Sequence, residues 1–193
     1  MRKTQRLTVA LTGLLPLAGC GQYLGSYAVE EVRVVTEVPP SHLGSPSPSY
    51  GQYLEIRLTS KTSLTSYGRK VGAVYVDADF CPLRNPVGAI AFGPYSNDEQ
   101  DLGLPAYANA LKAGRDGLFR YRLYVVVAYR AQRASEPGQL QLPTYDLKGS
   151  NRDLCLRLFA PGYNLIKSRS NTIRVPANIV SNALKQARAP GPL

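Results

Sequence analysis

The 193-residue chain has no tryptophan, one histidine, one methionine, three cysteines and four phenylalanines. Each scarcity closes a set of functions. The lone imidazole, His42, falls in a Pro/Ser-rich loop and reads as an exposed residue. A Ser-His-Asp site would therefore need that loop to supply its base. Without tryptophan, the strand-packing motif of true immunoglobulin domains is missing. No zinc knuckle, RRM-type aromatic signature or helix-turn-helix pattern occurs, which argues against nucleic acid as a partner. Gly88 and Gly93 have the gap of a phosphate-binding loop, but Pro94 stands where the lysine is needed. No fixed-period repeat is found. The charge-free stretch from Leu7 to Cys20 is 14 residues, short of the roughly 20 that a spanning helix requires.

What is present begins at the N-terminus. Arg2, Lys3 and Arg6 precede an apolar run from Leu7 to Leu15, Pro16 breaks it, and Leu17-Ala18-Gly19-Cys20 follows. Charge, apolar run and small residues in that order read as a secretory signal. The last four residues resemble the lipobox of bacterial lipoproteins. The resemblance implies that residues 1–19 are removed and that Cys20 becomes an acylated N-terminus, carrying palmitate-like chains. Gly21, not Asp, follows it, which implies the outer membrane and a domain facing the periplasm. Several acyl chains, at roughly 0.8 kcal/mol per buried methylene, make a stable anchor. The resemblance covers the targeting segment alone. The plain alternative is an ordinary cleaved signal followed by a chance cysteine.

Removing residues 1–19 leaves 174 residues. That length suits a lipidated tether over residues 20–28 and one β-rich domain over 29–193. With 44% hydrophobic and 19% charged residues, the composition is that of a folded chain. The formal charge of +10 falls to +7 once the three leader cations are gone, 20 basic against 13 acidic residues. Such an excess favours anionic lipid headgroups, lipopolysaccharide phosphates or acidic polymers. A merely solvated basic surface reads equally well. With Cys20 acylated, Cys81 and Cys155 form an even pair in an oxidising compartment, which reads as a disulfide. That pairing leaves no thiol for a nucleophile or a zinc site.

Strand signals then follow one another. Residues 29–38 are rich in valine. Residues 39–50 hold prolines and serines that exclude helix and central strand, so an exposed, extended loop is expected. Tyr53 to Thr59 alternates strictly, with Glu55, Arg57 and Thr59 expected on a solvent face. Further strands are expected over Val71–Phe80, Val87–Phe92, Leu118–Arg130, Gln139–Tyr145, Asp153–Phe159 and Asn171–Val175. The segment Leu118–Arg130 reads as a long strand whose far half is buried on both sides. Leu104, Tyr107, Ala108 and Leu111 fall at helical spacing, with Gly114 as a stop. Pro176 opens the one convincing helix, striped by Ile179, Val180, Ala183, Leu184 and Ala187. About seven short strands and one late helix point to a mainly β fold: an antiparallel β-sandwich, immunoglobulin-like or similar, with a C-terminal helix.

The candidate sites are few. Asp77 and Asp79 point to one strand face and could bind calcium or act as acid and base. Carboxylates there also read as plain surface. Asp98, Glu99 and Asp101 form an acidic loop that lacks calcium-loop spacing. Arg120, Arg122, Tyr124 and Arg130, interleaved with Tyr121 and Tyr129, suggest a face for an anionic or glycan partner. No cofactor or metal is implied. The reading that emerges is a membrane-anchored, non-enzymatic lipoprotein: a structural, assembly or protein-binding module of the cell envelope with an envelope protein as partner. The alternatives are a glycan- or anionic-lipid-binding module and, less supported, a carboxylate hydrolase.

Overall fold

The structure is a computed structural model that describes residues 22–83, 88–130, 144–161 and 168–187. Cys20, the leader and most of the strand expected over Gln139–Tyr145 lie outside the described residues. In chain order the elements are β1 (Tyr27–Val35), β2 (Tyr53–Ser60), β3 (Tyr75–Phe80), β4 (Ala91–Ser96) and β5 (Phe119–Val126). Then come β6 (Ala128–Tyr129), β7 (Tyr145–Asp146), β8 (Leu154–Ala160), β9 (Ser168–Arg169), β10 (Ile173–Val175) and α1 (Ala177–Gln186). Two 3-10 segments lie at Leu64–Lys70 and Leu147–Gly149.

The strands make an antiparallel sandwich. One sheet has the order β1-β2-β5-β4, the other β10-β8-β3 with β9 on β8. Alternation decides which side chains meet between them. Leu54, Ile56 and Leu58 of β2 and Tyr121, Leu123 and Val125 of β5 are fully buried. They face Ala78, Leu156, Leu158, Ile173 and Val175 of the second sheet. The sheets close on each other at both sides. Ala89 N donates to Ala78 O at 2.9 Å and Val74 N to Gly103 O at 2.7 Å, beside β4. On the other side α1 and β10 lie against β1, with Val180, Ala183 and Leu184 buried. Asp153 caps α1, accepting from Ala177 N at 2.8 Å. Ile179 and Ala187, expected in the apolar stripe, are exposed.

Residues 121–126 of β5 are all buried, because the strand is central and loops cover its outer face. β2 differs from expectation. It is central too, and Glu55 is only 2% exposed where a solvent face was expected. β4 also departs from the reading, which placed a strand over Val87–Phe92 bounded by Gly93-Pro94. The strand instead runs through Gly93 and Pro94, where its register with β5 shifts between Phe92 and Tyr95. A proline is tolerated there because a bulge has no ladder bond for it to lose. Gly93, at φ +109°, is required: a Cβ would come within 2.9 Å of Arg122 O. No helix forms over residues 104–114. Leu104 and Tyr107 point outward and give such a helix no apolar face to bury. The segment makes a turn, Tyr107 N to Leu104 O at 3.0 Å.

The Pro/Ser stretch is not free either. Tyr95 Oη donates to Pro40 O at 2.9 Å and Tyr53 Oη to Pro48 O at 2.7 Å. Both residues are fully buried in the outer face of the first sheet, so the loop lies across that face. The expected tether over residues 20–28 is likewise folded from Gln22 onward. Gln22 N donates to Ser168 Oγ at 3.0 Å, Leu24 N to Arg169 O at 3.0 Å, and Leu24 is fully buried.

Cys81 and Cys155 are bonded, 74 residues apart in sequence. The bond joins the end of β3 to its neighbour β8 within one sheet, unlike the inter-sheet bridge of immunoglobulin domains. Closing a loop of that length contributes about 4 kcal/mol on the chain-entropy model. Replacing both cysteines by alanine is expected to lower the melting temperature by on the order of 10 °C. Calorimetry checks this, and an unchanged melting point would refute the stapling role.

Candidate functional site

The outer face of the first sheet carries the residues singled out as a binding face. Register sets Arg33 opposite Glu55 and Glu31 opposite Arg57. Glu55 then faces Tyr124, and Arg57 faces Arg122. The result is a ladder of alternating charge. Glu55 accepts from Arg33 and from Arg57, each at 2.9 Å, and Arg57 also meets Glu31 at 2.9 Å. Burial alone would push the Glu55 carboxyl up, but the two guanidinium hydrogen bonds outweigh it and hold it below the usual carboxylate range. Arg122 is 8% exposed. It donates to Ser96 O at 3.3 Å and Asn97 O at 2.7 Å and pairs with Glu99 at 3.3 Å. Arg120 holds Glu30 at 3.0 Å and Asp116 at 2.7 Å. Tyr124 is 5% exposed, packed edge-on against Tyr95. Arg130 stands apart and exposed.

The expected Arg/Tyr binding face is therefore corrected. Arg120, Arg122 and Tyr124 do share one side of β5, but each cation is matched by a carboxylate and the tyrosine is covered. Four arginines (33, 57, 120 and 122) meet five carboxylates (Glu30, Glu31, Glu55, Glu99 and Asp116). These groups leave that part of the face without net positive charge.

The other acidic candidates are also engaged. Asp77 is 4% exposed and pairs with Arg157 of β8 at 2.9 Å. Asp79 accepts from Phe80 N at 2.7 Å. Neither lines any of the three clefts described below. Asp101 clamps the Pro/Ser loop, accepting from Leu43 N at 2.5 Å and Gly103 N at 2.8 Å, with His42 Nδ1 at 3.1 Å. His42 is half-buried, edge-on to Tyr75 and Tyr95, not the exposed residue expected. Among the described residues no group of three or more His, Cys, Asp or Glu side chains is placed to hold a metal ion.

Three surface clefts stand out among the described residues. A polar one of about 750 Å³ is lined by Ser96, Asn97, Asp98, Gln100, Lys112 and Arg120 among others. One of about 430 Å³ lies over the charge ladder. The third, about 600 Å³ and mainly apolar, is lined by Tyr23, Tyr27, Lys61, Thr62, Tyr67 and Leu118 among others. It opens beside the first described residues. There Tyr67 Oη donates to Tyr23 O at 2.7 Å. The Asn171 amide both accepts from Tyr27 N at 2.8 Å and donates to Tyr27 O at 2.9 Å. Gly25, at φ +95°, presses on Thr62, whose Oγ1 would lie 2.5 Å from a Cβ. Sequence reading missed Tyr23, Asn171 and Glu55. Their roles come from partners 144 residues away or across a sheet, which no local pattern carries.

No family model, no curated protein and no solved structure matches the chain. No described helix is long and apolar enough to cross a membrane.

Two outcomes follow. Glu55→Gln should cost about 2 kcal/mol, because the amide keeps one acceptor oxygen but turns a donor toward the other guanidinium and removes the charge both arginines meet. The Glu55 carboxyl is lowered in the fold, so its contribution is present above the unfolded value of about 4.3 and lost as pH falls below it. Denaturation midpoints of wild type and variant should therefore converge under acid; a gap unchanged at low pH would refute the pairing. At the other extreme, burial pushes the Tyr27, Tyr95, Tyr121 and Tyr145 phenols up. Their stabilisation is complete below the unfolded value of about 10 and declines as pH rises past it. The late part of the tyrosinate absorbance, which these buried phenols contribute, should then rise together with loss of circular dichroism, and complete ionisation of all thirteen tyrosines with the fold intact would contradict the burial.

Proposed function

We propose that this chain is a bacterial lipoprotein, held at the outer membrane by an acylated Cys20 and facing the periplasm. Its sandwich serves as a non-enzymatic structural, assembly or protein-binding module. The observation that carries the reading is how close to Cys20 the chain is fixed to the domain. The lipobox-like Cys20 stands two residues before Gln22, whose amide is already bonded to Ser168. So short a link supports a domain held close to its N-terminal anchor. Supporting it, the two carboxylates read as a possible acid and base both hold structure: Asp77 on Arg157 and Asp79 on the Phe80 amide. Glycan or anionic-lipid binding through Arg120, Arg122 and Tyr124 loses its support, since that face is charge-balanced.

For a partner, the loop after β4 offers the contact. Tyr107 is 81% exposed and Leu104 37%, and an exposed tyrosine is a frequent interface anchor. A photo-crosslinker placed at Tyr107 in intact cells should trap one defined envelope protein, and Cys20→Ser should abolish that product. Enrichment of wall fragments or lipid, with no protein adduct, would overturn the docking role.

A further inference from the structure

We infer that the end of the sandwich around Tyr23 is a membrane-facing surface, lying against anionic phosphate headgroups with Lys61 and Arg169 as its headgroup cations. The inference rests on anchoring at Cys20 and says which way the anchored domain points. The argument starts from chain length. Gln22 and Leu24 are fixed to Ser168 and Arg169. Two residues of chain reach at most about 7 Å, so an acylated Cys20 holds this end within that distance of the bilayer surface. β2, eight residues long, puts the opposite end of the sheet about 25 Å further away. With so short a link the domain has little freedom to roll.

The chemistry of this end fits a headgroup layer. Tyr23 is 57% exposed, and tyrosine is favoured where one end of a side chain is apolar and the other wet. The apolar groove formed with Tyr27 and Tyr67 opens next to it. Lys61 lines the same groove, and Arg169 is bridged to Tyr23. Both are exposed, and among the described residues neither forms an ion pair. Arg69 and Lys70, also exposed, follow Tyr67 by two and three residues. The acidic groups of this end, Glu30 and Asp116, are both taken by Arg120.

The absence of tryptophan supplies the test, because one introduced indole reports alone. The mature protein is purified from a bacterial host and its N-terminal peptide weighed for acyl groups. It is then reconstituted in phosphatidylcholine vesicles containing phosphatidylglycerol, with nitroxide quenchers at headgroup depth. Tyr23→Trp should be blue-shifted and quenched several-fold more than Ile179→Trp, whose helix starts at the far end beside Asp153. Adding Lys61→Glu and Arg169→Glu to Tyr23→Trp should lower its quenching and reverse its blue shift without reaching the Ile179→Trp level, since the tether remains, and high salt should do the same; no change would overturn the role of the two cations. Acyl groups present with equal quenching at both positions would overturn the orientation and leave the anchor standing. An N-terminal peptide without acyl groups would overturn the anchor, and the orientation with it.

Discussion

A buried tyrosine hydroxyl holding the backbone of a loop is the contact on which this fold depends. Tyr121 donates to Thr62 O at 2.6 Å and accepts from Leu64 N at 3.1 Å. Tyr53 donates to Pro48 O and accepts from Tyr50 N at 2.8 Å. Tyr95, Tyr67 and Tyr27 hold Pro40, Tyr23 and Leu24, and Tyr145 accepts from Ile90 N. The loops over residues 36–52 and 61–74 have little regular structure, so their backbone groups need partners from elsewhere. Phenylalanine would fill the same volume and leave those groups unpaired. Tryptophan donates only and could not serve Tyr53 or Tyr121, which do both. A chain with thirteen tyrosines and no tryptophan fits that demand.

The same economy governs charge. The outer face of the first sheet is not left to water. Its distal half is roofed by the Pro/Ser loop over Tyr53, Phe92 and Tyr95. Its other half is a ladder in which arginines and carboxylates neutralise one another. Pairing with Arg33 across the strands and with Arg57 along its own lets Glu55 be buried at little cost, since two guanidinium groups replace its water. The net positive charge of the chain is carried by other residues, several of them near the point where the folded chain begins.

Much of the sandwich was legible because burial follows alternation. The strand at β5 announced its buried far half through Val125, Val126 and Val127, and the α1 stripe showed in Val180, Ala183 and Leu184. The disulfide followed from parity once Cys20 was set aside, though its place within one sheet did not. What failed to show was long-range. Glu55 reads as a solvent residue until Arg33 is laid opposite it. His42 reads as loop until Asp101, 59 residues on, folds back to it. Helical spacing at Leu104, Tyr107, Ala108 and Leu111 misled, because periodicity without a surface to cover makes no helix. The Arg/Tyr face was found correctly as a face and misread as open, since strand alternation cannot reveal a covering loop.

Were the chain held at Cys20 as proposed, the seam between residues 22–27 and 168–171 would have a mechanical meaning. Force drawn from Cys20 would enter at Gln22 and spread over the bonds to Ser168, Arg169 and Asn171, which lie along one short segment and would share the load. If that seam gave way, the core would pay out chain toward the membrane. The Cys81–Cys155 bond sets the limit. It withholds a 74-residue separation, on the order of 250 Å of extended polypeptide, from any stretch. The disulfide would thus act as a stop on extension: a pull on the N-terminus would lengthen the molecule without unravelling its middle.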